Sequence, residues 1–289
     1  MLFYLKNTLS AMGYRLPEQW DLIFNRRSSK AFSQVSLKDT DREAILSFLD
    51  RCALPFESQD LHIDWISEET LDNLFFNRKR QVVAAPQYLI FRCIPDDKAL
   101  YNLGALLQQL ALWLHASGYS ARLQSRFYIG IEEDDDFNDY AEISSDIHYT
   151  SEGHQLTLLP LVMAIGTPAE AIDTPRPRRR PRRSQVSGHK NIEPIVYRII
   201  SAAIAAPTER GEVPWHFAAD ERTIDIYMSD RYRFYKKQRR LMRKVSVGCM
   251  LANSMFAAGI LNHDMTITIK DAPPPKGNRN YVCTLVIRP

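Results

Sequence analysis

The sequence lacks the short motifs that mark the commonest cofactor and catalytic sites. No GxGxxG, GxxxxGK[ST], GxSxG or HExxH pattern occurs, which argues against dinucleotide-binding, P-loop, α/β-hydrolase and zinc-protease sites. The four cysteines show no CxxC spacing, so neither a thioredoxin motif nor a zinc ribbon is indicated. We therefore expect reduced, mostly buried thiols and no bound metal.

Long apolar segments are absent as well. The sequence has no run of about 18 apolar residues. Its N-terminus has no basic region followed by a long apolar one. These absences lead us to expect a cytoplasmic protein with neither a membrane span nor a signal peptide. The net charge of +3 is too small to indicate a membrane or nucleic-acid partner.

What the sequence does contain is an alternation of helical and strand-like segments on both sides of an Arg/Pro-rich segment, residues 174–190. On each side one predicted helix is apolar on most of its faces, at residues 101–118 and 245–259, and each ends at a glycine. Helices and strands mixed around central helices predict an α+β fold. Residues 174–190 contain almost no apolar side chains, so we expect an extended connector there.

The densest group of functional side chains is Arg26-Arg27-Ser28-Ser29-Lys30, which we expect to lie just before a helix. Arginine and lysine make charge-assisted hydrogen bonds to phosphate, and arginine can bind two oxygens at once. Three cations and two hydroxyls suit a phosphate dianion better than a carboxylate. A solvated basic turn is the alternative interpretation.

The pattern R-[RH]-S-x-[RK]-x-F, which the sequence has at residues 26–32, resembles the opening motif of the FMN-dependent nitroreductase family. The resemblance implies that Arg26, Arg27, Ser28 and Lys30 bind the phosphate of FMN. It also implies a mixed, mostly antiparallel sheet packed against central buried helices.

A second similarity to the family is Phe76-Asn77-Arg78-Lys79-Arg80, at the start of a predicted helix. The resemblance implies that Asn77 lies at the pyrimidine edge of the flavin and that Arg80 lies near the ribityl chain or phosphate. An amide suits that edge because it can both donate and accept hydrogen bonds. The alternative is an exposed helix start with asparagine as its cap.

A third similarity is the turn Gly166-Thr167-Pro168 after a predicted core strand. In the family such a turn leads to basic residues that return to the phosphate, which implies this role for one or two of Arg176, Arg178 and Arg180. A flexible linker and a nucleic-acid-binding arm are alternatives. The arm is disfavoured because no aromatic residues lie among the cations.

The fourth similarity is residues 205–217, which resemble the family pattern A-P-S-x-x-N-x-Q-P-W-x-F. The resemblance places Pro207, Thr208 and Gly211 beside the flavin, although Gly211 and Val213 replace the family's asparagine and glutamine. In nitroreductase homodimers this loop comes from the partner subunit.

The first half has the Arg-Arg-Ser motif and the second half has the Pro-Trp loop. The sequence therefore resembles, over residues 22–270, a single-chain nitroreductase subfamily in which one monomer forms an intrachain pseudo-dimer. On this basis the chain divides into an N-terminal extension, two nitroreductase-like halves and a connector, at residues 1–21, 22–173, 191–289 and 174–190 respectively.

The resemblance implies an FMN-dependent oxidoreductase. Hydride would pass through the flavin from a reduced nicotinamide, NAD(P)H, or an organic donor to a small-molecule acceptor. The flavin carries such chemistry, so no catalytic side chain is required. One alternative is a flavin-binding or flavin-free descendant used for recognition. The other is a protein that binds a nucleic acid or another anionic partner through Arg176 to Arg183.

Overall fold

The computed structural model describes residues 4–57, 61–67, 83–93, 96–124, 148–149, 155–156, 159–170, 185–188, 192–208, 211, 213–229, 237–274 and 276–289. Its helices are α1 (Tyr4–Ala11), α2 (Leu16–Asn25), α3 (Asp39–Leu49), α4 (Asp97–Ala116), α5 (Pro194–Ile204) and α6 (Lys237–Ile260). Its strands are β1 (Leu61–Ser67), β2 (Gln87–Cys93), β3 (Ser120–Gln124), β4 (His148–Tyr149), β5 (Gln155–Leu156), β6 (Leu159–Gly166), β7 (Val186–Gly188), β8 (Trp215–Ala219), β9 (Thr223–Ser229), β10 (Asp264–Thr268) and β11 (Arg279–Arg288).

Helix α4 is the buried central helix that the sequence predicts. Asp96 caps its start, because its carboxylate accepts hydrogen bonds from the backbone N–H groups of Lys98 (2.9 Å) and Ala99 (3.1 Å). Most of its residues are buried on every side, as expected for a helix without a polar face. Gly118 ends it with a φ of 84°, which confirms the predicted glycine cap.

Helix α6 is the second central helix, but its predicted end at Gly259 is wrong. The helix continues to Ile260, and Asn262 takes the left-handed conformation with a φ of 58°. Asparagine tolerates this conformation better than other residues that carry a side chain beyond Cβ, so it replaces the glycine cap.

The two central helices cross where their backbones touch. A Cβ added at Gly104 would lie 1.9 Å from the carbonyl oxygen of Val245, and one added at Gly248 would lie 2.0 Å from the carbonyl oxygen of Tyr101. The contact is reciprocal, since each glycine meets the residue three positions before the other. Only glycine allows backbones to approach so closely.

The helix ends repeat in the same way. Gly104 and Gly248 are 144 residues apart, and so are the left-handed residues Gly118 and Asn262. Strands β3 and β10, which follow α4 and α6, start with the same separation. The unit of central helix, left-handed residue and strand therefore occurs twice in the chain.

Two sheets flank this helix pair. The first has the strand order β1-β2-β6-β3 and the second the order β10-β11-β9-β8-β7. Four strands of the second sheet, in the order β8-β9-β11-β10, correspond to the four strands of the first. In both sheets the order across the sheet is the first, second, fourth and third of these strands along the chain. All pairings described in the two sheets are antiparallel except β7 with β8. The expected mixed, mostly antiparallel α+β architecture is confirmed.

Strand β7 lies inside residues 174–190, the segment expected to be an extended connector. Its residues pair with β8 in parallel and add a fifth strand to the second sheet. Residues 171–184, which include Arg176, Arg178 and Arg180, lie outside the described part of the chain.

The N-terminal extension is helical and contacts the ends of both central helices. Leu5 and Leu9 of α1 are buried in the main core. The Tyr14 hydroxyl donates to the carbonyl of Ala116 at the end of α4 (2.9 Å), and Lys6 Nζ donates to Oδ1 of Asn262 after α6 (2.7 Å). The extension therefore fastens the two helix ends from one side.

The four cysteines are free thiols, three of them buried and Cys52 half-buried, which confirms the expected burial. Burial raises the pKa of Cys249 to about 12 and, together with the nearby Asp96 charge, that of Cys93 to about 12. These thiols therefore stay protonated at neutral pH. Within the described ranges, no helix has the length and hydropathy needed to cross a membrane.

Candidate functional site

The loop that carries the Arg-Arg-Ser motif follows the end of α2. The Arg26 N–H donates to the carbonyl of Leu22 (3.0 Å), and this bond closes the helix. The expectation that the motif lies just before a helix is wrong, because α3 starts only at Asp39. Cations at a helix C-terminus are favourable, since its carbonyl groups carry partial negative charge.

Strand β3 fixes the backbone of this loop. The Ser29 N–H donates to Oγ of Ser120 (3.1 Å), and that hydroxyl donates to the carbonyl of Arg27 (3.4 Å). Arg122 Nη1 donates to the carbonyl of Ser29 (3.2 Å). Ser29 and Ser120 are both buried, so the loop is held at its centre while Ser28 and Lys30 remain exposed.

The turn after β6 holds the other side of the loop. Phe32 forms an antiparallel bridge with Pro168. The Ser33 N–H donates to the carbonyl of Thr167 (2.9 Å), and the Ala169 N–H donates to that of Ala31 (3.1 Å). The structure therefore brings the predicted Gly-x-Pro turn next to the predicted phosphate motif, although the two are more than 130 residues apart in sequence.

Glycine fits the crowded start of this turn better than a residue with a side chain. A Cβ added at Gly166 would lie 3.0 Å from two ring carbons of Pro86 and 3.3 Å from a ring carbon of Phe32. Those distances are too short for comfortable contact, so Gly166 lets the aromatic ring of the motif pack beside the strand end.

The charges of the loop are distributed unevenly. Arg27 directs Nη1 to the carbonyls of Phe24 (2.8 Å) and Arg26 (3.0 Å), at the end of α2. Arg26 Nη1 donates to Oγ of Ser28 (3.4 Å). Within the described part of the chain Lys30 forms no ion pair, so its charge is available to an anionic ligand. Phosphate binding by Arg26, Arg27, Ser28 and Lys30 stays a prediction.

The pKa of His115, in the last turn of α4, is affected by the positive charge of this region. Burial lowers its pKa below the ordinary value for histidine, and the charges of Arg26 and Arg27 lower it further. The ring is therefore neutral over more of the pH range than a free histidine. A cationic environment that disfavours a further positive charge favours an anion.

The Pro-Trp loop of the second half begins after α5. Pro207 and Thr208 are half-buried, and the buried Thr208 hydroxyl oxygen has no hydrogen-bond partner among the described residues. Gly211 is exposed with a φ of 75°, and its N–H donates to the carbonyl of Thr208 (3.3 Å). Glycine and asparagine both tolerate this left-handed conformation. The backbone at this position therefore accepts Gly211 in this chain as it accepts the asparagine of the family pattern.

The helices that carry the two parts of the predicted site are neighbours. The Arg198 guanidinium of α5 lies 4.8 Å from the ring centroid of Trp20 in α2, a cation–π contact. The motif loop follows α2 and the Pro-Trp loop follows α5. Trp215 and Phe217, which complete the family pattern, are buried in the main core on β8.

Comparison with known proteins identifies the fold. A family profile described as "Putative TM nitroreductase" matches residues 19–258. The chain belongs to this family. A solved structure described as a "putative nitroreductase" from Thermotoga maritima is 16% identical, with 93% of each chain covered and a TM-score of 0.58. The expected nitroreductase-like fold is thereby confirmed.

Further solved structures align with about half of the chain. An FMN-dependent nitroreductase from Clostridium difficile is 19% identical over 55% of this chain and 94% of its own, with a TM-score of 0.40. An NADPH:FMN oxidoreductase from Vibrio harveyi, complexed with NAD+, is 14% identical over 53% and 69%, with a TM-score of 0.39. A search of curated protein sequences found no match.

Not every predicted site residue can be placed. Asn77, Arg80, Arg178 and Arg180 lie outside the described residues, and their roles stay predictions. Ser120 and Arg122, which touch the motif loop, were not predicted from the sequence. The signal available for them was weak: two polar residues at alternate positions of a short strand.

Proposed function

We propose that this member of the nitroreductase family is an FMN-dependent oxidoreductase whose flavin phosphate binds at the loop of Arg26, Ser28 and Lys30. The observation that carries the proposal is the loop itself. Its backbone is fixed by Ser120 and by the turn at residues 166–168, while its exposed lysine forms no ion pair among the described residues. A rigid backbone with uncompensated positive charge suits a phosphate dianion.

The residues present fit the group they would hold. Lys30 and Arg26 would neutralise phosphate oxygens, and Ser28 Oγ would donate one neutral hydrogen bond. The orphaned hydroxyl of Thr208 would gain a partner from a polar ligand atom, which removes the cost of burying it unpaired. Gly211 keeps the second-half loop in its left-handed turn.

The flavin, when bound, supplies the hydride transfer, from a reduced nicotinamide or an organic donor to a small-molecule acceptor. The protein's part is to bind the phosphate, to orient the ring and to exclude water from it. Positive charge around the site, to which the lowered pKa of His115 responds, favours an anionic reduced flavin.

We further propose that the two halves act as the two subunits of a pseudo-dimer. The reciprocal contact of Gly104 and Gly248 is the pattern expected at a twofold axis, where residue i meets j and j meets i. The equivalent strand orders support the same arrangement. Only the first half has the Arg-Arg-Ser loop, so one flavin site per chain is expected.

The test of the phosphate site is flavin affinity in charge variants. Lys30→Met and Arg26→Met should each weaken FMN binding about ten- to hundredfold, because a hydrogen bond to a charged group is worth about 1.5–3 kcal/mol. Arg51→Met, an exposed cation just after α3, is the matched control and should leave the affinity unchanged. Equal FMN affinity in all four proteins would refute the proposed site.

One observation favours a second candidate, a flavin-binding protein without turnover. Val213 packs against the main core, and Gly211 offers no side chain, so neither supplies the donor found in the family motif. Reduction of bound flavin by NADH or NADPH under anaerobic conditions separates the candidates. Bleaching of the flavin band, with recovery on adding a quinone, supports the oxidoreductase. The recognition role is supported if neither NADH nor NADPH reduces the bound flavin and if a quinone does not reoxidise it after chemical reduction with dithionite.

A further inference from the structure

Arg122 of β3 is a cation beside the phosphate loop that belongs to none of the family motifs. We infer that Arg122 is a phosphate-binding residue of this site and that it makes the site selective for flavin carrying a 5′-phosphate over uncharged riboflavin. The inference rests on the proposed function and adds to it a residue and a ligand preference.

The geometry of Arg122 leaves part of its guanidinium available. Nη1 donates to the carbonyl of Ser29 at 3.2 Å, which places the group against the centre of the motif. The residue is half-buried, and no carboxylate pairs with it within the described ranges. A guanidinium has five N–H donors in a planar fork, so one bond to the loop leaves others for a phosphate.

Strand geometry explains why this side chain faces the loop. Successive residues of a strand point to opposite sides. Ala121 is buried in the main core and Leu123 packs against it, so Ser120 and Arg122 share the other side. Ser120 holds the loop backbone through Ser29 and Arg27, and Arg122 adds charge at the same place.

The second half offers a natural comparison. Strand β10 follows α6 as β3 follows α4, with the same separation of 144 residues. At the positions of Ser120 and Arg122 it has Asp264 and Thr266. A carboxylate there would repel phosphate, and threonine brings no charge. The extra cation is therefore found in the half that has the Arg-Arg-Ser loop and not at the equivalent position of the other half.

The first experiment compares two ligands that differ only in the phosphate. Dissociation constants for FMN and riboflavin are measured by flavin fluorescence for the wild type, Arg122→Met, Arg122→Lys and the control Arg51→Met. Arg122→Met should weaken FMN about tenfold or more and change riboflavin less than about twofold, the size expected for one charge-assisted contact. Arg122→Lys should recover part of the loss.

Two results would overturn the inference. An unchanged FMN affinity in Arg122→Met would show that the residue does not meet the phosphate. Equal losses for FMN and riboflavin would show that Arg122 acts only by holding the loop. In either case wild-type binding of FMN would leave the proposed function standing.

A second readout does not depend on flavin. Inorganic phosphate should raise the melting temperature of the wild type more than the same concentration of chloride does, and should raise that of Arg122→Met much less. If phosphate stabilises the wild type more than Arg122→Met but the protein binds no FMN, the anion site is supported and the proposed function is refuted. Equal stabilisation of the two proteins, or none of either, would overturn the inference.

Discussion

The two sheets have equivalent strand orders but different outer faces, the faces turned away from the central helices. The outer face of the first sheet carries an apolar cluster, separate from the main core, that contains Tyr88, Ile90, Val162 and Ala164. Phe32 of the phosphate motif packs into this cluster. The first outer face therefore anchors the loop on which the proposed flavin site depends.

In the second sheet the equivalent face is polar. Asp225 is buried and accepts hydrogen bonds at Oδ1 from Lys270 Nζ (2.6 Å) and Thr284 Oγ1 (2.6 Å). The Tyr281 hydroxyl bonds Thr284 (2.7 Å), and Tyr227 donates to the carbonyl of Pro274 (2.8 Å). A polar network and the chain segment after β10 take the place of the apolar cluster.

The difference shows which parts of the fold are under common constraint. The inner faces and the helix crossing are alike in both halves because both must fill one core around two touching backbones. The outer faces have no such shared task, so one receives a binding loop and the other a hydrogen-bonded network. Substitutions at the shared crossing should therefore cost more than those at either outer face.

Gly248→Ala should give the largest loss of stability. Its Cβ would lie 2.0 Å from the carbonyl oxygen of Tyr101 and 2.8 Å from the Cα of Gly104, both backbone atoms that no rotamer change can move. We expect the free energy of unfolding to fall by about 3 kcal/mol or more, measured by urea denaturation. Gly13→Ala, with no heavy atom within 4 Å, should cost only about 1–2 kcal/mol from its positive φ. Equal costs would contradict the close crossing.

Phe32→Ala should come next. Phe32 is 5% exposed, and truncating a buried phenylalanine costs about 3–5 kcal/mol. We expect a loss near the lower end of that range, below that of Gly248→Ala, because the ring packs in the small outer cluster and not in the main core. Because the ring anchors the motif loop, FMN affinity should fall as well, measured at a temperature where the variant is fully folded. Tyr227→Phe on the second outer face is the control and should leave FMN affinity unchanged. If the folded Phe32→Ala protein binds FMN with wild-type affinity, the Phe32 ring is not required to hold the loop in place.

Thr284→Val tests the polar face. The change keeps the shape but removes the hydroxyl between Asp225 and Tyr281, and a hydrogen bond to a charged group is worth about 1.5–3 kcal/mol. We expect a loss near the lower end of that range by chemical denaturation, because Lys270 still binds Asp225. Thr268→Val, at the exposed neighbouring position on β10, should be near neutral. An unchanged free energy of unfolding in Thr284→Val would show that the hydrogen-bond network does not stabilise the fold.

His115→Gln should change the pH dependence of stability. The folded-state pKa of His115 lies below its unfolded value, so in the acidic range the unfolded state binds more protons. Wild-type stability should therefore fall as the pH drops through the unfolded value of about 6.5, and it should level off above that value. The variant should lack this component in a comparison of denaturation curves.

In NMR titrations FMN should raise the pKa of His115, since phosphate would offset the charges of Arg26 and Arg27. An unshifted pKa with FMN bound would place the phosphate elsewhere.

The smallest effect is expected at the surface ion pair of Glu193 and Arg222. Their atoms lie 3.1 Å apart, but the side chains are 38% and 45% exposed. Exposed pairs contribute about 0–1 kcal/mol, so a double-mutant cycle with Glu193→Gln and Arg222→Met should give a coupling in that range that disappears at high salt. A larger coupling would mean that the pair is more important for docking α5 than its exposure indicates.

The sequence predicted the central helices and core strands well, because their apolar runs are long and local. The end of α6 was wrong because Asn262, three residues beyond the expected glycine, adopts the left-handed conformation. The N-terminal helices were missed, since burial of Leu5 and Leu9 depends on contacts with distant helices. Ser120 and Arg122 could not be placed at the site because only strand pairing brings them to a loop some 90 residues earlier.

We propose that one flavin binds per chain, anchored by its phosphate in the half that has the Arg-Arg-Ser motif. The most direct test is a titration of the purified protein with FMN, in which bound flavin is quantified by absorbance against protein concentration, for the wild type and for Lys30→Met. We expect one equivalent of tightly bound FMN per chain and much weaker uptake by the variant. A protein that takes up no FMN, or two equivalents, or as much after Lys30→Met, would contradict it.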